Sequence, residues 1–349
     1  LANRQYPEWY LITSLKDEKR PLAKIYETTK TRLFSVSPMV QLVVMKQFFG
    51  PFVSMISGQK VPYVGGLDRQ GSSWHSFFSE LRKTSDVGFG GDYEKYDGRF
   101  PFEVSEVAIR IAMDRIRLTD MEKTQSDTLN YTILHPIYAV QQFLFEVFGT
   151  IASGWWITQI LGTLGNEVMQ RAAWYELVGP EYQDRISYER FVCAKYMSDD
   201  NIVSVHRYFT KVFNGVTYAA WCADHDIVYT SADKNGAAKA TEPLEEISFL
   251  KNTTGKLGNM FTPIMEEKAA VEPINWVRKS KYLTKDQATE VNCNVVLRAV
   301  FFRGRQYFNN IREKILKYCP HYKLLNYNYL YGCYISYGRF PGSESGEAS

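Results

Sequence analysis

The sequence predicts an α+β protein, and three observations predict it. Two short β-branched and aromatic runs, 191–197 and 202–205, flank Ser198-Asp199-Asp200-Asn201, which is turn chemistry, so they read as an antiparallel hairpin. The segment 87–93, Val-Gly-Phe-Gly-Gly-Asp-Tyr, reads as a strand ending at a carboxylate. Stretches of helical periodicity at 103–125, 155–178 and across 264–320 mix with these without βαβ regularity, which argues against a doubly wound sheet.

In chain order, residues 1–35 are polar and basic, with Lys16, Lys19, Arg20, Lys24, Lys30 and Arg32. An apolar helix is expected over 38–49, loops around Gly58, Gly65, Gly66 and Gly71, and an amphipathic helix over 74–84. The glycines of 87–93 weaken strand propensity but permit close backbone approach. A long helix follows Ser153-Gly154, and 206–224 reads as helical. Short strands are expected at 227–230 and 247–251, with a turn at 232–236 between them. The tail from Gly342 reads as disordered.

At 349 residues, 45% hydrophobic and 23% charged, the chain is sized for two or three domains with a real core. That excludes a disordered chain, a collagen-like fibre or a disulfide scaffold. Five scattered cysteines without C-x-x-C, and five histidines without H-x-x-x-H, argue for a reducing compartment and against a zinc site. There is no signal-peptide pattern, and Leu1 in place of methionine predicts a sequence that begins inside a longer one. Residues 147–166 carry no charge, yet their polar residues and glycines make them unsuited to a lipid-facing helix. Net charge is +5 over 1–60, −9 over 61–248 and +7 over 249–349. Solvated faces produce such a pattern, and so do basic walls that track a polyanion on either side of a cation-holding centre.

The local motifs favour the second reading. Asp is common at turns and strand ends, so Asp92-x4-Asp97 and Asp199-Asp200 mean little singly. If the hairpin packs beside the Asp92 strand, three carboxylates converge at one end of a sheet. Such a site suits Mg²⁺ held by few carboxylates plus substrate phosphates. Two such ions about 3.5–4 Å apart serve in-line phosphoryl displacement. Nucleotidyl transfer also needs cations for the triphosphate, which Lys16, Arg20, Lys24, Lys30 and Arg32 can supply. It needs a proton donor for pyrophosphate, for which Lys234 is the candidate. It needs short polar groups to place the sugar, for which Asp97, Ser153, Thr158 and Asn166 are candidates, with helix capping and helix packing as their bland alternatives.

These pieces occur in an order that resembles the RNA-dependent RNA polymerases of picorna-like positive-strand RNA viruses. The finger motif looks like Leu15-Lys16-Asp17-Glu18-Lys19-Arg20 with Lys30-Thr31-Arg32-Leu33-Phe34. The first palm motif, D-x4-D, looks like Asp92 to Asp97, and the second, S-G-x3-T, like Ser153-Gly154-Trp155-Trp156-Ile157-Thr158. The third, normally Y-G-D-D, looks like Tyr196-Met197-Ser198-Asp199-Asp200-Asn201. The fourth looks like Thr230-Ser231-Ala232-Asp233-Lys234, and the fifth, F-L-K-R, like Phe249-Leu250-Lys251-Asn252.

The resemblance implies a right-hand polymerase whose antiparallel palm sheet is flanked by helices. Its fingers would occupy 1–70 and 101–150, its palm 71–100 and 151–260, and its thumb and tail 261–349. It assigns metal binding and catalysis to Asp92 and Asp199 with Asp200 in support, and general acid catalysis to Lys234. Lys16, Arg20, Lys30 and Arg32 would meet nucleotide phosphates, and Asp97 the ribose 2′-OH. Phe249, Leu250 and Lys251 would grip the primer. The implied cofactors are two Mg²⁺ ions, with Mn²⁺ as a substitute. The implied partners are template and primer RNA, rNTPs, a protein primer and other viral replication proteins, with neither DNA nor a membrane span. The implied location is host cytoplasm, in membrane-associated replication complexes.

Four departures stand out. Ser198 replaces the usual glycine, and Gly162 the usual asparagine that partners Asp97, a role Asn166 could partly assume. Asn252 replaces the last arginine, and the upstream part of the fingers is not in the sequence. Two other readings are a reverse transcriptase, against which Asp97 and the S-G-x3-T motif speak, and a non-catalytic RNA-binding scaffold, against which Asp92, Asp199, Asp200 and Lys234 speak.

Overall fold

The computed structural model describes residues 6–17, 22–27, 32–57, 61–184, 186–232, 236–277 and 279–341. The strand Val87–Tyr93 is the axis of a five-stranded antiparallel sheet. On one side it pairs with Asp200–Val205, which pairs in turn with Val192–Met197. On the other it pairs with Tyr229–Ser231 near its end and Glu242–Pro243 near its start. Period-2 alternation sorts the side chains. Phe89 and Tyr93, with Val203 and Val205, enter the main core, while Ile202 enters a second apolar cluster.

Helices cover both faces. The helix Thr158–Leu177 lies on the main-core side, where Trp174 is fully buried, next to Gly215–Asp224, whose Tyr218 packs on Phe89 and Tyr93. The helix Ser73–Thr84 lies on the other face and contributes Trp74, Phe77, Phe78 and Leu81 to the second cluster. Trp74 Nε1 donates to Thr254 Oγ1 at 3.1 Å and so reaches the hairpin Asn252–Leu257 with Met260–Met265. Beyond it, the helices Lys285–Val300, Arg305–Tyr318 and Tyr327–Tyr337 gather a third cluster around Phe301, Phe308 and Tyr334.

A second sheet, in the order Leu33–Val36, Tyr10–Leu15, Ile137–Val140, Phe143–Glu146, joins segments more than 100 residues apart. These strands are short, and none is foreseen in the sequence. The helix Met39–Ile56 outruns the expected 38–49 and is long and apolar enough to cross a membrane. Here it buries Met45, Phe48, Phe49 and Phe52 in the main core.

Other boundaries are corrected. The stretch 103–125 is two helices, Phe102–Met113 and Asp120–Leu134, because Thr119 and Glu122 form a capping box that starts the second. Only Gly215–Asp224 of 206–224 is α-helix, begun by the Asn214 cap after the short 3₁₀ turn Arg207–Phe209. Residues 247–251 are not a strand; they lead into a tight turn, and the strand starts at Asn252. The tail from Gly342 lies outside the described residues.

The capping box makes a direct prediction. Thr119→Ala removes the acceptor for Glu122 N–H, and urea unfolding should show a loss of about 1 kcal/mol. An unchanged midpoint would mean that packing alone sets this helix start.

Candidate active site

Strand register assembles the carboxylates. Gly88 lies opposite Ser204, Gly90 opposite Ile202 and Gly91 opposite Asn201. One step further brings Asp92 opposite Asp200, on the same face of the sheet. Asp199 sits beside them in the two-residue turn between Met197 and Asp200. Like charges across a strand pair are unfavourable, so this end of the sheet is one that a cation stabilises. Buried Tyr229 lies beside it: burial first, then Cys222, with Asp200 and Asp92 adding, holds its phenol well above the usual range.

The turn is pinned from behind. Ser198 has φ +59°, and its partner Asp199 does not share the positive value, the pattern of a type II′ turn that favours glycine at its first position. Ser198 N–H donates to Thr163 Oγ1 at 2.9 Å, and Asn166 Nδ2 donates to the carbonyls of Ser198 at 3.0 Å and Asp199 at 3.3 Å. Asn166 Oδ1 accepts from Tyr93 O–H at 2.8 Å. Asn201, read in the sequence only as turn chemistry, is fully buried, donates to the carbonyls of Gly91 and Asp199, and accepts from Tyr229 O–H. Nothing in a D-D-N triplet separates such a brace from an ordinary turn residue.

Two expectations are therefore corrected. Asn166 is fully buried with its amide committed to the turn, so it braces the carboxylates and does not face a nucleotide beside Asp97. Phe249 is 1% exposed and stacks on Phe77 with ring centroids 5.5 Å apart, so it anchors its turn and cannot touch RNA. Leu250 is half-buried and Lys251 is exposed.

Asp97 stands in a short 3₁₀ turn just after the Asp92 strand. Burial first and Asp199 second push its carboxyl up to about 6, while Arg32 and Lys16 pull it down. Those four groups thus share one electrostatic neighbourhood. Lys16 and Arg32 are brought together by the pairing of Leu15 with Leu33, and Lys16 N–H donates to the Arg32 carbonyl at 2.9 Å. A cleft of about 360 Å³ is lined by Asp97, Ser153, Thr13, Ser35, Tyr138 and Ile151. Ser153 is exposed there and accepts from Ser35 N–H at 3.3 Å. Gly154 follows because Ser35 passes against it: a Cβ would overlap the Ser35 carbonyl oxygen. Thr158 opens its helix, its hydroxyl directed to the carbonyls of Ala152 at 2.6 Å and Trp155 at 2.9 Å, so it shapes the Ser153 loop. Arg20, Lys30 and Lys234 lie outside the described residues.

Among the described residues no three acidic, histidine or cysteine side chains form a ready metal cage. The donor set still fits Mg²⁺, which is held by one or two carboxylates together with substrate phosphates and needs no all-protein cage.

Two departures noted separately in the sequence meet here. A Cβ on Gly162 would overlap Ser198 Oγ and lie 3.2 Å from Ser198 Cβ and 3.3 Å from its Cα. Ser198 therefore occupies the space into which a side chain at 162 would project.

Comparison with known proteins shows the family and the fold. The model of the family described as viral RNA-dependent RNA polymerase matches residues 5–320. The genome polyprotein of Rice tungro spherical virus (strain Vt6) is 27% identical over 324 residues, 88% of this chain and 9% of the polyprotein. The RNA1 polyprotein of Cherry rasp leaf virus is 29% identical over 344 residues, 88% of this chain and 14% of that one. This chain thus spans a small part of those relatives. Among solved structures, the Sicinivirus 3Dpol RNA dependent RNA polymerase superposes with a TM-score of 0.78 at 18% identity, covering 96% of this chain and 69% of that one. The α+β fold is thereby that of a right-hand polymerase.

Two outcomes are expected. Gly162→Ala should cost about 1–3 kcal/mol, and Ser198→Gly in the same chain should recover most of it; strictly additive unfolding energies in a double-mutant cycle would refute the contact. Asp97 binds its proton more tightly folded than unfolded, so its penalty on stability is absent below about pH 4 and complete above about pH 6. Asp97→Asn should therefore gain on the parent as pH rises from 4 to 7, by on the order of 2 kcal/mol. A stability difference that does not change with pH would contradict it.

Proposed function

Because the chain belongs to the viral RNA-dependent RNA polymerase family, we propose that it carries out template-directed RNA synthesis, transferring nucleotidyl groups from rNTPs to an RNA 3′-OH in viral genome replication. The observation that carries this reading is the register that sets Asp92 opposite Asp200 beside Asp199, with Asp97, Lys16 and Arg32 in the same electrostatic neighbourhood.

In this reading the 3′-oxygen bonds to the α-phosphorus as the bond to the bridging oxygen breaks, pyrophosphate leaves, and the hydroxyl proton passes to solvent. Asp92 and Asp199 would hold Mg²⁺, or Mn²⁺ in its place, which when bound neutralises phosphate charge and favours the attacking alkoxide. Lys16 and Arg32 would bind the triphosphate as charge-assisted donors, joined by Arg20 and Lys30. Asp97 would accept from the ribose 2′-OH, with Ser153 exposed in the same cleft. Lys234, three residues past Ser231 of the strand that pairs with Gly91, would protonate pyrophosphate. Exposed Lys251 would meet the primer backbone.

The partners in this reading are template and primer RNA, rNTPs, a protein primer and the other products of a viral polyprotein, working in host cytoplasm on membrane-associated complexes. The sheet that pairs Tyr10–Leu15 with Ile137–Val140 supports reading 1–70 and 101–150 together as fingers.

Primer extension on an annealed RNA template with Mg²⁺ tests the reading. Extension with rNTPs should fall at least about 100-fold in Asp199→Asn. Equal use of dNTPs would remove Asp97 from ribose selection and favour reverse transcription. Bound RNA without extension in the parent would favour the scaffold reading.

A further inference from the structure

Residues 249–252 form a tight two-residue turn: Phe249 and Asn252 exchange backbone hydrogen bonds at 2.8 and 2.9 Å. Leu250 and Lys251 between them have φ +52° and +60°. Two successive positive values define a type I′ turn, for which Asn-Gly is the favoured pair. A leucine and a lysine hold that conformation only where surrounding contacts over-determine it.

Those contacts can be named. The Leu250 carbonyl accepts from Asn252 Nδ2 at 2.7 Å and from Arg69 at 3.4 Å, and the Lys251 carbonyl accepts from Glu266 N–H at 2.9 Å. Leu250 N–H, which the turn itself does not use, donates to Asp200 Oδ2 at 2.8 Å. Of these partners only Asp200 belongs to the carboxylate hairpin. Phe249 is anchored in the core, so the Leu250 N–H bond to Asp200 is what ties this turn to the carboxylate hairpin, and Lys251 carries the exposed charge.

We propose that Asp200 is a positioning residue whose carboxylate clamps the Leu250-Lys251 turn to the catalytic hairpin, fixing the RNA-gripping lysine in register with Asp92 and Asp199. This rests on the polymerase reading and assigns Asp200 a mechanical task separate from metal binding. Asparagine keeps an oxygen acceptor for Leu250 N–H; alanine, or the similarly sized leucine, does not.

The test is the dissociation rate of a fluorescent primer–template RNA, in EDTA and without nucleotides, so that neither metal nor chemistry enters. Asp200→Ala and Asp200→Leu should release RNA roughly 5–10-fold faster than the parent, and Asp200→Asn within about twofold of it. Leu250→Gly added to Asp200→Ala should restore retention, because glycine adopts the turn conformation without the clamp. Equal rates for parent, alanine and leucine variants overturn the proposal, as does an asparagine variant as fast as alanine. A parent that extends RNA without this split sinks the clamp alone, whereas the split without extension sinks the polymerase reading alone. A parent that holds no RNA sinks both.

Discussion

Holding carboxylates together at one end of a sheet is the constraint on which this structure turns. Asp92 stands opposite Asp200 with Asp199 beside them, an unfavourable set of like charges, and burial first, with Asp199 second, pushes the Asp97 carboxyl up to about 6. A flexible hairpin would relax by moving the charges apart. Here Asn166, Thr163 and Asn201 hold the turn by its backbone. The braces are themselves fixed by phenols: Tyr93 on Asn166 and Tyr229 on Asn201, with Tyr93 and Tyr218 sharing a hydrogen bond of 2.6 Å. Each polar group is buried and satisfied, which makes such a network rigid.

The same need for rigidity explains the residues tolerated at strained positions. Ser198, Leu250 and Lys251 all have positive φ, and each lies within one or two residues of a carboxylate or its hydrogen-bond partner. Conformations of this kind cost of order 1–3 kcal/mol each and survive where neighbours fix them. At Ser198 the neighbours are Thr163 and Asn166; at Leu250 they are Asp200, Asn252 and Arg69.

Much of this was legible in the sequence because it is local. Strand 87–93, the hairpin through Asp199 and the helix after Ser153 are written in period-2 and period-3.6 patterns and in turn residues. The carboxylates followed from those patterns. What escaped was set by distant segments. The strands at 10–15 and 137–140 are too short to declare themselves and exist because they pair with each other. Asn166 looked like a helix-surface residue free to face a sugar, since nothing in its neighbours says that the Ser198 turn arrives over it. Phe249 looked like a contact residue because its motif is, yet Phe77 claims its ring. The Gly162 and Ser198 departures seemed independent, since 35 intervening residues conceal their contact.

That contact bears on how, in the proposed reading, the cleft would meet a sugar. With no side chain at 162 and Asn166 committed to the turn, neither position can partner Asp97. Asp97 is left with its neighbours Arg32 and Lys16, which favour its ionised form, against burial and Asp199, which oppose it. The ionised carboxylate is an acceptor only, whereas the protonated form also donates. A hydroxyl can answer either form, but phosphate bound near Lys16 and Arg32, as proposed, would compete for the same cations that favour the ionised Asp97. In the proposed reading, ribose selection by Asp97 and triphosphate binding by Lys16 and Arg32 would therefore be coupled through shared charge, where a neutral amide beside Asp97 would have kept them apart.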